Sequence, residues 1–550
     1  MGLTRAPEDR PTPPEVYNIR VYLLAIICCL GSWVFGFPVG SIGGVIVLPS
    51  FQDDFHLPAV GSHAYNNVTS NIISLFQVGG LIGSMAMFPG MKVLGRKFAL
   101  AASAAVAVVG AVLQTFSHGR LGMMYAGRLV TGIGAGCVTV VVPLYLAELS
   151  PPAVRGSIVG IYEINNQLSS LLGYWCNYIV NLYIPPTATR QWQIPLAMQL
   201  VPSSLLLMAA LFIIPESPRF LVNKNKQAEA RKVLSFVRHL PQEHEYINSE
   251  IADFETAHQN QLRAKASSKG HFGLVRELAW KGNRNRVLIG IGLMVFQNLT
   301  GINGVNFYTA TIFRSIGFQG TNAVLLASGM FAVVKTIATL ASLLLLIDRA
   351  GRRKLLLISA AGVSLSLWYI GGYIFAANIV LGETQTRTAG GWVAIVAVYT
   401  YAASFSIAWN GVVWVYASEI FPGRIKELAV CLTTFTQWLS AFGVARASPY
   451  MLSSLRGGFF FFFAASMVVA ALFVFFGVPE TKGKSLERMD EIFGTPYSGE
   501  LGARFGVLEA GMNDLEKADG KDPRAESGNV QRVRSAEVDQ VGISAMGRVV

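Results

Sequence analysis

Long apolar runs separated by short polar breaks dominate this chain, arranged as six runs, a polar stretch, and six more. The first six lie near 22–45, 70–90, 98–116, 121–146, 157–181 and 195–214. The polar stretch covers about 217–284, and the second set lies near 286–307, 322–347, 355–378, 391–417, 428–450 and 457–478. About twenty apolar residues in a helix cross the roughly 30 Å of bilayer hydrocarbon. In lipid every backbone N–H and C=O needs an internal partner, so each run is predicted to be helical. The pattern predicts an all-α membrane protein with twelve transmembrane helices in two six-helix bundles. Its parts are an N-terminal tail (1–21), a first bundle (22–216), a linker (217–284), a second bundle (285–478) and a C-terminal tail (479–550). Charges in the linker, among them Glu229, Arg231, Lys232, Arg238, Glu243 and Glu245, fit short solvated helices.

Charge sets the orientation. Loops after spans 2 (Lys92, Arg96, Lys97), 8 (Arg349, Arg352, Arg353, Lys354) and 10 (Arg424, Lys426) are basic, and the alternate loops are poorer in Lys and Arg. Basic loops stay in the cytoplasm, which predicts a multi-pass plasma-membrane protein with both termini inside. The formal net charge of +12 is therefore topological, and nucleic-acid binding is excluded. Composition agrees: 52% of residues are hydrophobic and only 14% charged, with mean hydropathy +0.46, against about 25% charged in soluble domains. Five cysteines fall inside apolar runs and read as packing residues, with no metal-ligand spacing. Span 1 is too long for a signal-peptide core, and Met1-Gly2 lacks the following Ser or Thr of an acylation start because Ala6 stands there. The charged, Gly-rich tail from about 494 is predicted to lack fixed structure. Asn67-Val68-Thr69 is a glycosylation sequon on the outer side.

Short motifs repeat across the two halves. Asp348-Arg349-Ala350-Gly351-Arg352-Arg353 follows span 8, and Lys92-Val93-Leu94-Gly95-Arg96-Lys97 follows span 2. Glu148-Leu149-Ser150-Pro151 with Arg155 closes span 4, as Glu419-Ile420-Phe421-Pro422 with Arg424 closes span 10. Glu216 and Arg219 follow span 6, and Glu480 follows span 12. Such duplication marks a transporter built from two related halves. Carboxylates at cytoplasmic helix ends facing Arg from neighbouring loops predict breakable ion pairs that gate the halves.

With these motifs the chain resembles the sugar porter family of the major facilitator superfamily from about residue 22 to 493. The resemblance rests on Gly127-Arg128, the Gly132, Gly134 and Gly136 series, Pro143, Tyr145, Glu148, Arg155-Gly156, Gln167-Leu168, Gln297 through Asn303, Trp414 and Trp438. Within the family it is most similar to fungal quinate, sugar-acid and hexose permeases. The resemblance implies a monomeric carrier working by alternating access, without a cofactor or enzymatic activity, for a monosaccharide or related sugar acid. It also implies a central site lined by Gln167, Gln297, Asn298, Asn303, Trp414, Gln437 and Trp438. The residue chemistry agrees, because amides both donate to and accept from hydroxyls and Trp offers a stacking face.

Charge inside the spans departs from that pattern. Proton-coupled members carry an Asp in span 1, where this chain has Pro38, so proton coupling by the family route is in doubt. Its usual partner remains as Arg128, about 10 Å inside the membrane at 1.5 Å per residue. Lys335 adds a second cation at mid-span, and Glu163 in span 5 is an acid that pairs with one of them or carries a coupling proton. Buried cations need an anion. A substrate carboxylate of the galacturonate or quinate kind supplies one. A facilitative neutral-hexose uniporter and a sugar sensor on the same fold are the alternatives. Asn410-Gly411, Ala441 and Lys92-Val93 also differ from the family's usual residues.

Overall fold

The computed structural model describes residues 12–60, 62–151, 154–267, 278–279, 281–379, 388–421, 425–481 and 493. The side chains of Arg155, Asp348 and Glu419, the whole of Arg424, and the tail from 494 lie outside the described residues. The first bundle contains α1 (Ile19–Cys28), α2 (Leu30–Ile46), α3 (Pro49–Asp54), α4 (His63–Thr115), α5 (Leu121–Leu149), α6 (Arg155–Tyr183), α7 (Arg190–Ala197) and α8 (Leu200–Phe212). The linker forms α9 (Pro218–Asn223), α10 (Gln227–Arg238) and α11 (Glu245–Ser267). The second bundle contains α12 (Lys281–Asn298), α13 (Ile302–Ser315), α14 (Thr321–Ala341), α15 (Ile347–Ala350), α16 (Arg352–Ala376), α17 (Ala389–Ile407), α18 (Val412–Glu419), α19 (Lys426–Leu455) and α20 (Gly458–Gly477).

Ten stretches of the described residues are long and apolar enough to cross a membrane. Two more crossings escape that criterion for physical reasons. The 53 residues of α4, about 80 Å at 1.5 Å per residue, are two spans joined at Gly95, whose backbone leaves the helix at φ 81° and ψ −176°. Helix α6 carries Glu163, Asn165, Asn166 and Gln167 in one turn, which is too polar for a hydropathy threshold. The twelve expected spans are thus present, with shifted ends: span 2 begins at His63 and span 7 runs to Ser315. Spans 1, 6, 7 and 10 are each interrupted, where the apolar pattern predicts continuous helices.

The linker docks on the first bundle. Arg238, with no exposed surface, donates to the Leu149 carbonyl at the end of α5 at 2.7 Å and pairs with Glu250 of α11 at 2.6 Å. A small apolar core of Val16, Leu234, Leu240, Ile247 and Ile251 ties the segment before α1 to it. All five cysteines are free, and three are buried among apolar neighbours.

The halves are sealed against each other at the end away from α1 and the linker. Arg446 of α19 donates to Ser70 at 2.7 Å, to Asn67 at 3.1 Å and to Asn71, all on α4. Asn66 donates to Ser453 at 3.0 Å, and Asn181 of α6 reaches Asn322 of α14. One apolar core runs across the halves there, joining Ile42–Phe55, Ile72 and Trp192 to the second bundle. The sequon lies at the edge of this seal: Thr69 is fully buried, while Asn67 is exposed and accepts through Oδ1 from Arg446 and Tyr450. Asn67 itself stays exposed in this closed arrangement.

Candidate functional site

Two interrupted helices of the second bundle meet near mid-membrane. Helix α12 stops at Asn298 because Gly301 takes φ 83°, a left-handed conformation that suits glycine. Thr300 ties the turn by donating to the Gln297 carbonyl at 2.7 Å and accepting from the Ile302 N–H at 3.2 Å. Between α17 and α18 the chain unwinds from Ala408 (φ −137°) to Gly411, which frees carbonyl groups. Gln297 Nε2 takes them up, donating to Trp409 O at 2.7 Å and Asn410 O at 3.2 Å. Broken backbone at membrane depth survives only with such partners, and in transporters it marks a binding site.

Amides radiate from this break. Asn298 Nδ2 donates to Gln437 Oε1 at 2.6 Å, and Asn303 Nδ2 donates to Asn298 Oδ1 at 2.6 Å. Gln297 Oε1 and Trp409 Nε1 have no partner among the described residues. Across the halves, Asn410 Nδ2 donates to Glu163 Oε1 at 2.8 Å, as Gln167 Nε2 does at 3.0 Å from one turn along α6. Asn410 also donates to Thr339 at 3.3 Å. Glu163, Asn303 and Gln437, members of this network from both halves, are only partly buried, so a cleft opens between the halves beside them. Five of the seven predicted ligand residues join this network, Gln167, Gln297, Asn298, Asn303 and Gln437, while Trp414 of α18 is partly buried against the apolar core.

Trp438 does not join it either. Its exposure is 3%, and it is wedged edge-on into the first bundle against Phe35 (5.4 Å between ring centres) and Phe76 (6.0 Å). Gly80 makes the slot, since a Cβ there would strike the Trp438 ring.

The cations separate into two environments. Arg128 has no exposed surface, lies over the Phe76 ring at 4.6 Å and donates from Nε to the Ile72 carbonyl at 2.9 Å. Both its Nη atoms lack a partner among the described residues. Lys335 sits one turn before Thr339 on α14 at 4% exposure, and its Nζ donates to Asn306 Oδ1 at 3.2 Å. Tyr174 of α6 donates to the Asn306 carbonyl at 2.7 Å, bringing the first bundle against this point. No ion pair forms at Lys335 among the described residues, and the acid whose field reaches it is Glu163. Sequence reading found the charges but missed Asn306, Thr339 and Tyr174. Lys335 and Thr339 at i and i+4 would have placed the two on one helix face.

At the end nearer the linker, the repeated motifs close each half on itself. Arg96 pairs with Glu148 at 2.7 Å, both side chains nearly buried, and Ser217 adds a bond to Glu148 at 2.5 Å. Glu216 takes the backbone N–H groups of Arg96 at 2.8 Å and Lys97 at 3.3 Å. Glu480 does the same for Arg352 at 2.9 Å and Arg353 at 3.1 Å. These carboxylates therefore cap helix N-termini, where unsatisfied N–H groups gather. Arg219 is half-buried in the first turn of α9, and Arg349 is exposed in α15. The pairs described here join helices within a half, not across the halves.

Two helical halves that enclose interrupted helices and a polar mid-membrane cleft define a solute carrier. The family model for "Sugar (and other) transporter" matches residues 24–493. A protein named "Probable quinate permease" from Aspergillus clavatus is 40% identical over 501 residues, covering 90% of this chain and 92% of that protein. One of the same name from Aspergillus flavus is 40% identical over 499 residues, with the same coverage. The proton:xylose symporter XylE, solved with 6-bromo-6-deoxy-D-glucose, superposes with TM-score 0.71 at 24% identity, covering 86% of this chain and 99% of that one. Its inward-open form from E. coli gives TM-score 0.67 over the same shares. The chain belongs to the sugar porter family of the major facilitator superfamily, and it is a transporter, not an enzyme.

Proposed function

We propose that this protein carries a carboxylated polyol, of the quinate or sugar-acid kind, across the plasma membrane by alternating access, as a monomer with both termini in the cytoplasm. Lys335 carries the reading. Among the described residues its ammonium meets the Asn306 amide and lies over the Phe331 ring, without an ion pair; a charge buried this way is costly in a low-dielectric site, and a ligand carboxylate at the adjacent cleft offsets that cost. Arg128 is the weaker candidate, because Phe76 covers its face and no surface of it is exposed. Gln297 Oε1, Asn303 and Gln437 offer acceptors and donors for the hydroxyls, and Trp414 offers an apolar face. The likeness to proteins named quinate permease supports the acid over a neutral hexose. With both termini in the cytoplasm, the sealed end away from the linker is the outer one.

Competition uptake in transport-deficient cells tests the reading with quinate, galacturonate, glucose and xylose. Quinate or galacturonate should be taken up, and Lys335→Met should abolish that uptake at normal surface expression while any neutral-sugar flux persists. Efficient hexose uptake that neither acid competes would overturn it.

A further inference from the structure

We propose that Glu163 is the proton-carrying group of this transporter, and that one proton moves with each substrate carboxylate, so that transport is electroneutral. The inference rests on the proposed function in one respect: it takes the substrate to be an anion at Lys335.

The first support is in the sequence. Away from the ends of the spans there is one acid, Glu163; Glu148, Glu419 and Glu427 all sit within two residues of a helix end. Any carboxylate that takes up and releases a proton at membrane depth must therefore be this one. Position is the second support. Glu163 lies on the surface where the halves meet, partly exposed to the cleft, eight residues into α6. A group that must see each side in turn has to sit where the halves separate.

Its partners supply the third. Glu163 Oε1 accepts from Asn410 at 2.8 Å and Gln167 at 3.0 Å, both neutral amides, and Asn410 belongs to the opposite half. Gly411 follows immediately, and a Cβ there would stand 3.8 Å from Glu163 Cγ. An ionised carboxylate holds these amides with charge-assisted bonds, and a protonated one holds them less strongly. Protonation thus loosens a contact that bridges the halves. Of the ionisable groups on elements packed against α6, Lys335 of α14 is the charged one that reaches Glu163. Tyr162 is its neighbour on α6, and α2 has no ionisable side chain.

Charge balance turns these facts into a stoichiometry. Without substrate, Lys335 and Glu163 together are neutral. A bound carboxylate on Lys335 leaves one ammonium and two carboxylates, a net negative charge in a low-dielectric cleft, which is expensive. A proton from the outer solution onto Glu163 restores neutrality, and the site returns to its starting charge when substrate and proton leave together inside. No charge crosses net.

Purified full-length protein in liposomes tests this. With an inward proton gradient, wild type should accumulate quinate about tenfold per pH unit, and a potassium–valinomycin potential should leave that ratio unchanged. Glu163→Gln should lose accumulation against the gradient while quinate counterflow persists, and Glu163→Asp should recover part of the accumulation. Proton-driven accumulation by Glu163→Gln, or wild-type quinate uptake that carries current, would overturn the proposal. So would wild-type transport that ignores the proton gradient. If quinate neither binds nor moves but a neutral sugar does, the anion reading and the stoichiometry fail. The protonation site is then judged on that sugar by the same Glu163→Gln comparison.

Discussion

The two halves of this transporter agree at one end and differ in the middle. Nearest the linker their geometry repeats almost atom for atom. Gly95 and Gly351 both turn at positive φ, and Glu216 and Glu480 each cap the helix that follows. Tyr145 and Tyr416 donate to the carbonyls of Pro215 and Pro479 at 2.7 and 2.9 Å, and Arg96 and Arg352 each reach back to a carbonyl five residues earlier. At mid-membrane the likeness ends. The second half unwinds twice, at Gly301 and at Ala408–Gly411, and supplies Gln297, Asn298, Asn303, Gln437 and Lys335. The first half keeps α5 and α6 continuous and offers Glu163 and Gln167. The repeated part is a structural frame common to both halves, while the divergent part holds the residues proposed to meet the substrate.

The largest effect should come from breaking the frame in the first half. Arg96→Met leaves buried Glu148 with the Ser217 hydroxyl as its side-chain donor among the described residues, and losing one member of a buried pair costs about 3–5 kcal/mol. The unfolding temperature in detergent should fall steeply, and an unchanged value would mean that the pair is not structural.

A matched test asks whether the frames are equivalent. Gly95→Ala and Gly351→Ala each place a Cβ at positive φ and against a capping carboxylate, Glu216 or Glu480. Each should cost about 1–3 kcal/mol of stability. A large cost in one half with none in the other would break the equivalence.

The smallest effect separates ligand chemistry from packing. Gln297→Ala should raise the half-saturation constant for substrate by about tenfold, since an unpaired buried polar group costs about 1–3 kcal/mol. Gln114 of the first half, buried and bonded to Thr131 at 2.6 Å, is the control. Gln114→Leu should lower thermal stability and leave that constant alone. Equal affinity losses in both variants would remove the distinction between frame and site.

Much of the architecture was legible in the residues themselves. Twelve spans follow from apolar run length, because lipid demands a continuous internally bonded segment wherever the chain crosses. The duplication follows from short motifs at matching places, since the same turn needs the same glycine and the same capping acid. The family follows from the repeated loop motifs together with the glycine series of span 4, and the amides of the cleft, which that resemblance implies, stand out in apolar surroundings. What only the tertiary structure decided is where those side chains point and what they meet. Trp438 has the composition of a ligand platform, yet Gly80 admits it into the opposite half, a contact that joins distant segments. Glu216 and Glu480, expected to face arginine side chains, also accept from backbone N–H groups, because the kinks at Gly95 and Gly351 present bare helix ends. The interruptions in spans 7 and 10 left no trace in hydropathy, which averages side chains and is blind to backbone conformation. Arg128 and Lys335 look alike as lone cations in apolar runs, and packing alone placed one behind Phe76 and the other against the Asn306 amide.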